Sequence, residues 1–208
     1  MRPEVQTFGW TSAEASCAHS YLVPALLAEV ARRTGGPARL LDIGCGNGYV
    51  TAQLAGLGHD LVGIDVSEDG VAIARAAHPT IRFELASVYD ERLTEMVGGG
   101  IDGVLALEVI EHLYYPRRLF QASHRVLRAG GFLIVSTPYH GYLKNLAISV
   151  VNGWDRHFTV SADGGHIKFF SKDSLARMAV ECGFRNPRLI GVGRVPWIWK
   201  SMILIAEK

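Results

Sequence analysis

The chain has 208 residues, 49% apolar and 20% charged, with a formal net charge of +1. That length suits one domain with a sizeable core, and the composition is that of a globular protein. Near-neutral charge supplies no general attraction for nucleic acid or an anionic membrane.

In chain order, Ser12 reads as a helix cap with Glu14 in the first turn, and Leu22, Leu26, Leu27 and Val30 recur at helical spacing until Gly35-Gly36-Pro37. Pro24 predicts a break or a fresh start in that helix. Residues 1–37 are thus expected to form a helical cap ahead of a single domain over 38–208. The domain opens with a strand, Arg39–Ile43, that carries Asp42 and runs into Gly44, Gly46 and Gly48 before a helix over 49–57. A strand, a glycine turn and a helix N-terminus form the ligand-cradling junction of a doubly wound sheet. A dinucleotide fingerprint would place its third glycine where Tyr49 stands, and Asp42 would repel a pyrophosphate. The acid suits a ligand with a cationic amine instead.

Asp60–Asp65 is the second strand, and Asp65 at its carboxyl end is placed to accept hydrogen bonds from ribose hydroxyls. Ser67 caps the next helix, and a third strand over 81–85 leads to Ser87 and Val88. After Gly98-Gly99-Gly100, the fourth strand Ile101–Leu107 runs into Glu108, Glu111 and His112, a dense polar group where an open parallel sheet binds its ligands. Pro116 begins a helix, residues 132–137 form the fifth strand, and Ser171 caps a helix closed by Gly183. Residues 188–192 and 201–206 read as the last two strands. Between the fifth strand and the last long helix lies an insert over about 139–168, rich in histidine and aromatic residues. In it Leu143, Leu146, Ala147, Val150 and Val151 predict an amphipathic helix with Lys144 and Asn145 on its polar side. An insert of that size at the mouth of a crevice is expected to be a substrate lid.

The glycine turn with its acid resembles the first motif of class I S-adenosylmethionine-dependent methyltransferases, and the resemblance runs through the chain from Ala38 onwards. It implies an α/β, Rossmann-like sheet of seven strands, mostly parallel, with an antiparallel hairpin at its C-terminal edge. It implies S-adenosylmethionine as methyl donor, S-adenosylhomocysteine as product, and a cofactor site made of Asp42, Gly44, Gly46, Gly48, Asp65, Val66, Ser87, Val88, Leu107 and Glu108. An acid that the family often carries against the adenine amine is replaced here by Ser87, which would serve as a substitute acceptor.

Methyl transfer to a hydroxyl requires alignment, exclusion of water and a means of removing the hydroxyl proton. The pattern Glu108-x-x-Glu111-His112, with a later histidine at His166, resembles ubiquinone-biosynthesis O-methyltransferases and is similar to small-RNA 2′-O-methyltransferases. That resemblance implies a divalent metal held by Glu108, Glu111, His112 and His166. The metal-free alternative makes catalytic residues of Glu111, His112, His166 and His140, with His112 as the leading base. The expected partner is a small hydroxylated molecule, phenolic, quinone-precursor or secondary-metabolite. RNA is disfavoured by the charge and by the lack of an added RNA-binding region, and a nicotinamide-dependent oxidoreductase by Asp42 and the glycine spacing. The quinone relatives also imply peripheral membrane contact through the lid. Cys17, Cys45 and Cys182 form no disulfide framework, and the chain carries neither leader pattern nor spanning apolar run, so a cytoplasmic protein is expected.

Overall fold

The strands are near-continuous apolar runs. Such runs satisfy both faces of a sheet only when each face is covered by helices. The computed structural model, which describes residues 9–15, 18–158 and 165–208, has that arrangement. Its seven strands are β1 (Arg39–Ile43), β2 (Asp60–Asp65), β3 (Arg82–Leu85), β4 (Ile101–Leu107), β5 (Leu127–Pro138), β6 (Arg185–Val192) and β7 (Ser201–Glu207). They lie in the order β3-β2-β1-β4-β5-β7-β6. The first five are mutually parallel, and β7 runs antiparallel to both β5 and β6. This is the Rossmann-like sheet with an antiparallel edge implied by the resemblance.

Alternate residues of each strand feed opposite layers. Leu40, Leu61, Leu105 and Ile134 pack with α1 (His19–Arg33) and α2 (Tyr49–Ala55). Leu41, Ile64, Val104 and Leu133 pack with α4 (Leu93–Val97), α5 (Arg117–Val126) and α8 (Lys172–Glu181). The helix α3 (Glu68–Ala77) covers β3 through Val71, Ala74 and Phe83, and Ser67 caps it by accepting from the Gly70 amide.

Pro24 lies inside α1 and does not restart it. It falls near the N-terminal end, where a missing amide forfeits a single helical bond. The helix is tied across the molecule by Glu29, which is buried and bonds to Arg32, Arg33 and, on β6, Arg188. The fifth strand begins earlier than the sequence suggests, because Leu127 already pairs with Ile101 before a register shift carries the ladder past Gly130 and Gly131.

The strand order reverses between β1 and β4. A crevice therefore opens at their carboxyl ends, where ligands bind in sheets of this kind. The insert, with α6 (Tyr142–Val150) and α7 (Trp154–Phe158), follows β5 at that same edge.

Candidate active site

The β1–α2 turn is shaped by glycines at Gly44, Gly46 and Gly48, all with positive φ. At Gly44 a Cβ would stand 2.2 Å from the Val109 side chain, so only glycine lets the segment after β4 close against the turn. The amides of Gly44 and Cys45 donate to the Ile64 carbonyl at 2.7 and 3.0 Å, holding the turn against the end of β2. Asp65 completes that junction. Its two carboxylate oxygens accept from the amides of Gly46 (2.7 Å) and Ser67 (2.8 Å), and burial raises its pKa above the ordinary carboxylate value. Asp42, deeper still, accepts from the Thr51 hydroxyl at 2.6 Å. Burial pushes it up to about 6, with the charge of Asp65 adding to the rise.

Val66 follows Asp65 and is half-buried, while Val88 is buried and belongs to the core below the crevice. The Ser87 hydroxyl accepts from the Tyr89 amide at 3.1 Å, and the Ala86 amide donates to the Asp65 carbonyl at 2.9 Å. Leu107 ends β4 opposite Ser136.

The residues beyond β4 separate into two groups. Glu108 takes a left-handed backbone, φ 53°, which is rare for a residue with a side chain and typical of functional sites. Its carboxyl accepts from the hydroxyls of Ser136 (2.7 Å) and Ser201 (3.3 Å), and Ser201 is in turn 3.4 Å from the Tyr21 hydroxyl. Burial lifts Glu108 to about 7.

Glu111 lies in a 3-10 turn, Ile110–His112, and is fully buried; among the described residues its carboxylate oxygens make no well-formed hydrogen bond, and the Thr137 hydroxyl eases its charge only weakly. Burial, reinforced by the nearby Glu108, holds its pKa well above the ordinary range. Its backbone carbonyl accepts from the amides of Ile167 and Lys168 at 2.9 and 3.0 Å. Those two bonds bring the neighbouring His166 to the carboxyl, Nε2 to Oε1 3.9 Å, and set its ring edge-on to His112 with centroids 5.0 Å apart. Burial keeps the His166 imidazole below its usual pKa. One donor atom each from Glu111, His112 and His166 lie mutually within 4.8 Å. A buried carboxyl with poorly satisfied oxygens beside two imidazoles is a donor set that fits a divalent cation. Glu108 stands outside that group of three, its oxygens taken by two serines.

His140 lies in the aromatic cluster of the insert, stacked on Phe158 at 5.6 Å and edge-on to Phe169 at 5.0 Å. Burial lowers it to about 4. The insert helix α6 sits the opposite way round from its sequence pattern. Lys144 is its buried residue, whereas Leu143, Leu146, Val150 and Val151 beside it are exposed. The Lys144 ammonium donates to the carbonyls of Tyr139 (2.8 Å) and Lys200 (3.5 Å), and burial lowers its pKa to about 8. Sequence reasoning placed Lys144 on the polar side of this helix, where the structure buries it, and missed Ser136 and Ser201. The only sign of the serines was a hydroxyl at the inner end of two otherwise apolar strands.

A glycine turn under a parallel sheet, a carboxylate at the end of β2 and a polar group beyond β4 together define an S-adenosylmethionine-dependent methyltransferase. The chain belongs to the methyltransferase domain family, whose profile matches residues 17–188. It is similar to the ubiquinone biosynthesis O-methyltransferase of Thiobacillus denitrificans, 31% identical over 160 residues that cover 74% of this chain and 67% of that protein. The Cereibacter sphaeroides enzyme of the same name is 28% identical over 88% of this chain and 77% of its own length. That of Ruegeria pomeroyi is 36% identical over 56% of this chain, and the match spans about half of that protein, 49%. Among solved structures, a SAM-dependent methyltransferase from Archaeoglobus fulgidus shares the fold with a TM-score of 0.67 at 18% identity, covering 90% of this chain and 93% of that one. Magnesium protoporphyrin IX methyltransferase from Synechocystis, solved with bound SAH, has a TM-score of 0.65 at 21% identity and covers 89% and 81%.

Proposed function

We propose that the protein moves a methyl group from S-adenosylmethionine to a hydroxyl of a small aromatic acceptor, phenolic or quinone-precursor in type. The observation that carries this reading is the buried, poorly satisfied carboxyl of Glu111 between His112 and His166, beyond β4 and beside the glycine turn. In this reading the turn, with Asp42 and Asp65, holds the methyl donor, and Val66, Val88 and Leu107 flank its base with Ser87 as polar acceptor. The methyl donor supplies an excellent sulfonium leaving group, so the protein needs chiefly to align the acceptor and take its proton. In this reading His166, its pKa held down by burial, and His112 take that proton, with the Glu111 carboxyl beside them. A divalent ion bound by Glu111, His112 and His166 would lower the acceptor hydroxyl's pKa.

The lid supports an acceptor with apolar bulk. Tyr142, Leu143, Leu146, Val150, Val151 and Trp154 are exposed along α6 and α7, a surface suited to an apolar tail or to the face of a membrane. No described helix is long and apolar enough to cross a membrane; in this reading the contact is peripheral and made from the cytoplasm. RNA is not part of this reading.

The test is methyl transfer from isotopically labelled S-adenosylmethionine to a panel of catechols, hydroquinones and RNA, with and without chelator. Label on an aromatic oxygen is the expected result. Label only on RNA, or only on carbon or nitrogen, would overturn the assignment. Loss of turnover with chelator and recovery with manganese supports the bound ion; unchanged turnover leaves the imidazoles as the proton acceptors.

A further inference from the structure

Arginines on and around α5 pair with carboxylates as a rule. Arg117, its first residue, pairs with Glu181, and Arg128, just past its end, pairs with Asp102. Arg82 and Arg92, on the neighbouring strand and loop, hold Glu84 and Asp90. Arg118 and Arg125 break the rule. Both are exposed, and neither guanidinium has an ion pair or hydrogen bond among the described residues. Seven residues apart on a helix, they project from one face of it.

That face looks onto the loop between β3 and α4. Between them lies a cavity of about 260 Å³, lined by Val88, Tyr89, Glu91, Arg118 and Arg125. Neither the glycine turn nor the Glu111 group lines it, so it is separate from the crevice. Tyr115 ties its two walls together. The Tyr115 amide donates to the Tyr89 hydroxyl at 3.2 Å, its carbonyl accepts from the Arg118 amide at 2.9 Å, and the two rings meet edge-on with centroids 6.1 Å apart. Glu91 shares the cavity with both arginines and pairs with neither. The lining thus offers two guanidiniums with no counter-ion and one carboxylate with no donor.

A guanidinium presents parallel N–H groups that match the oxygens of a phosphate or a carboxylate. Two of them reaching in from successive double turns suit a tetrahedral dianion, which offers oxygens in several directions. The carboxylate accepts only from donors, such as hydroxyls. We propose that this cavity binds a small phosphate monoester bearing free hydroxyls, its phosphate held between Arg118 and Arg125 and a hydroxyl held by Glu91. Tyr89 connects that site to the crevice. Its amide donates to the Ser87 hydroxyl at 3.1 Å, so a ligand that steadies Tyr89 steadies the Ser87–Val88 loop. Occupancy should therefore tighten methyl-donor binding, and the donor should tighten the phosphate by the same factor. This coupling, unlike the site itself, rests on the reading that Ser87 and Val88 flank the cofactor's base.

The test is calorimetric titration of ribose 5-phosphate into the full-length protein, with and without saturating S-adenosylhomocysteine, and with ribose and inorganic phosphate alongside. Saturable binding of ribose 5-phosphate is expected, several-fold tighter with S-adenosylhomocysteine present. Arg118→Ala and Arg125→Ala should each weaken it about tenfold or more, the scale of one charge-assisted hydrogen bond. Arg177→Ala, at an exposed arginine of α8 outside the cavity, should leave it unchanged. Glu91→Gln should narrow the preference for ribose 5-phosphate over inorganic phosphate. No saturable binding, or binding that both alanine variants retain in full, would overturn the proposal. So would binding abolished by S-adenosylhomocysteine, which would put the ligand in the crevice. Equal affinity with and without S-adenosylhomocysteine would overturn the coupling. A protein that holds ribose 5-phosphate through the two arginines yet binds no S-adenosylhomocysteine would instead sink the cofactor reading and leave the cavity site standing.

Discussion

On the β1–β2 side of the crevice the two acids have partners: Asp42 takes the Thr51 hydroxyl, and Asp65 takes two backbone amides. On the β4–β5 side, Glu111 is buried with no well-formed hydrogen bond among the described residues, Glu108 sits in left-handed backbone, and α6 turns apolar residues outward. A buried polar group left unpaired costs folding energy, and a fold retains one where a ligand completes it. The first side is finished before anything binds and suits a ligand that never changes. The second is finished only by what it binds.

The sharpest way to break this contrast is Glu111→Leu. Turnover should fall on the order of 10²-fold or more, because the carboxyl that completes the group with His112 and His166 is lost. The thermal midpoint should rise, because an apolar side chain replaces a poorly satisfied buried carboxyl. Calorimetry checks the second half, and a lowered midpoint would mean that the carboxyl already has a partner. Next in size is Asp65→Ala, expected to weaken S-adenosylhomocysteine binding by about 2–3 kcal/mol through lost charge-assisted hydrogen bonds, with an unchanged circular dichroism spectrum. Titration calorimetry decides it.

Asp42 gives a pH signature of similar or smaller size. Its pKa stands at about 6 in the fold against an ordinary 3.8, so the folded protein holds this proton more tightly than the unfolded chain. The stabilising contribution is complete below the ordinary value and is lost as pH rises through about 6. Folding stability should drop on the order of 3 kcal/mol from this group over that range, and Asp42→Asn should flatten the drop. Denaturant titrations at several pH values would show it. Lys144→Met should raise acceptor KM several-fold, roughly 1 kcal/mol, by freeing the lid helix from the Tyr139 and Lys200 carbonyls, while donor affinity holds. The smallest effect on stability, within about 0.5 kcal/mol, belongs to the exposed Val150→Glu. That change should nevertheless reduce co-sedimentation with zwitterionic lipid vesicles; equal sedimentation would remove the membrane from the reading of the lid.

The two sides also differ in how far the sequence announced them. Asp42, the three glycines and Asp65 lie on consecutive strand–turn–helix units, so local pattern alone places them along one sheet edge. Glu111 and His112 are neighbours and were legible as a pair. The approach of His166 was implied by the resemblance and not by any local pattern, because it depends on the Glu111 carbonyl capturing two amides from the far end of the insert. Lys144 misled outright. The leucines and valines of α6 have the spacing of a buried face, but the helix is anchored at the crevice mouth by its ammonium, a tertiary hydrogen bond with no sequence period. The division between Glu108 and Glu111 was equally hidden, since serines on β5 and β7 draw one carboxyl aside.

The position of β7 bears on how the molecule is made. It is the last strand in the sequence, yet it lies inside the sheet between β5 and β6. As the chain leaves the ribosome, β1 to β5 can pair in the order they appear, but β5 keeps an open edge until Ser201–Glu207 emerges to cover it. A chain stalled before that point presents β5 as a bare template for a second nascent chain, the hazard that chaperones shield. Ser201 is the first residue of β7 and a partner of Glu108, so the β4–β5 side of the crevice takes shape only with that strand.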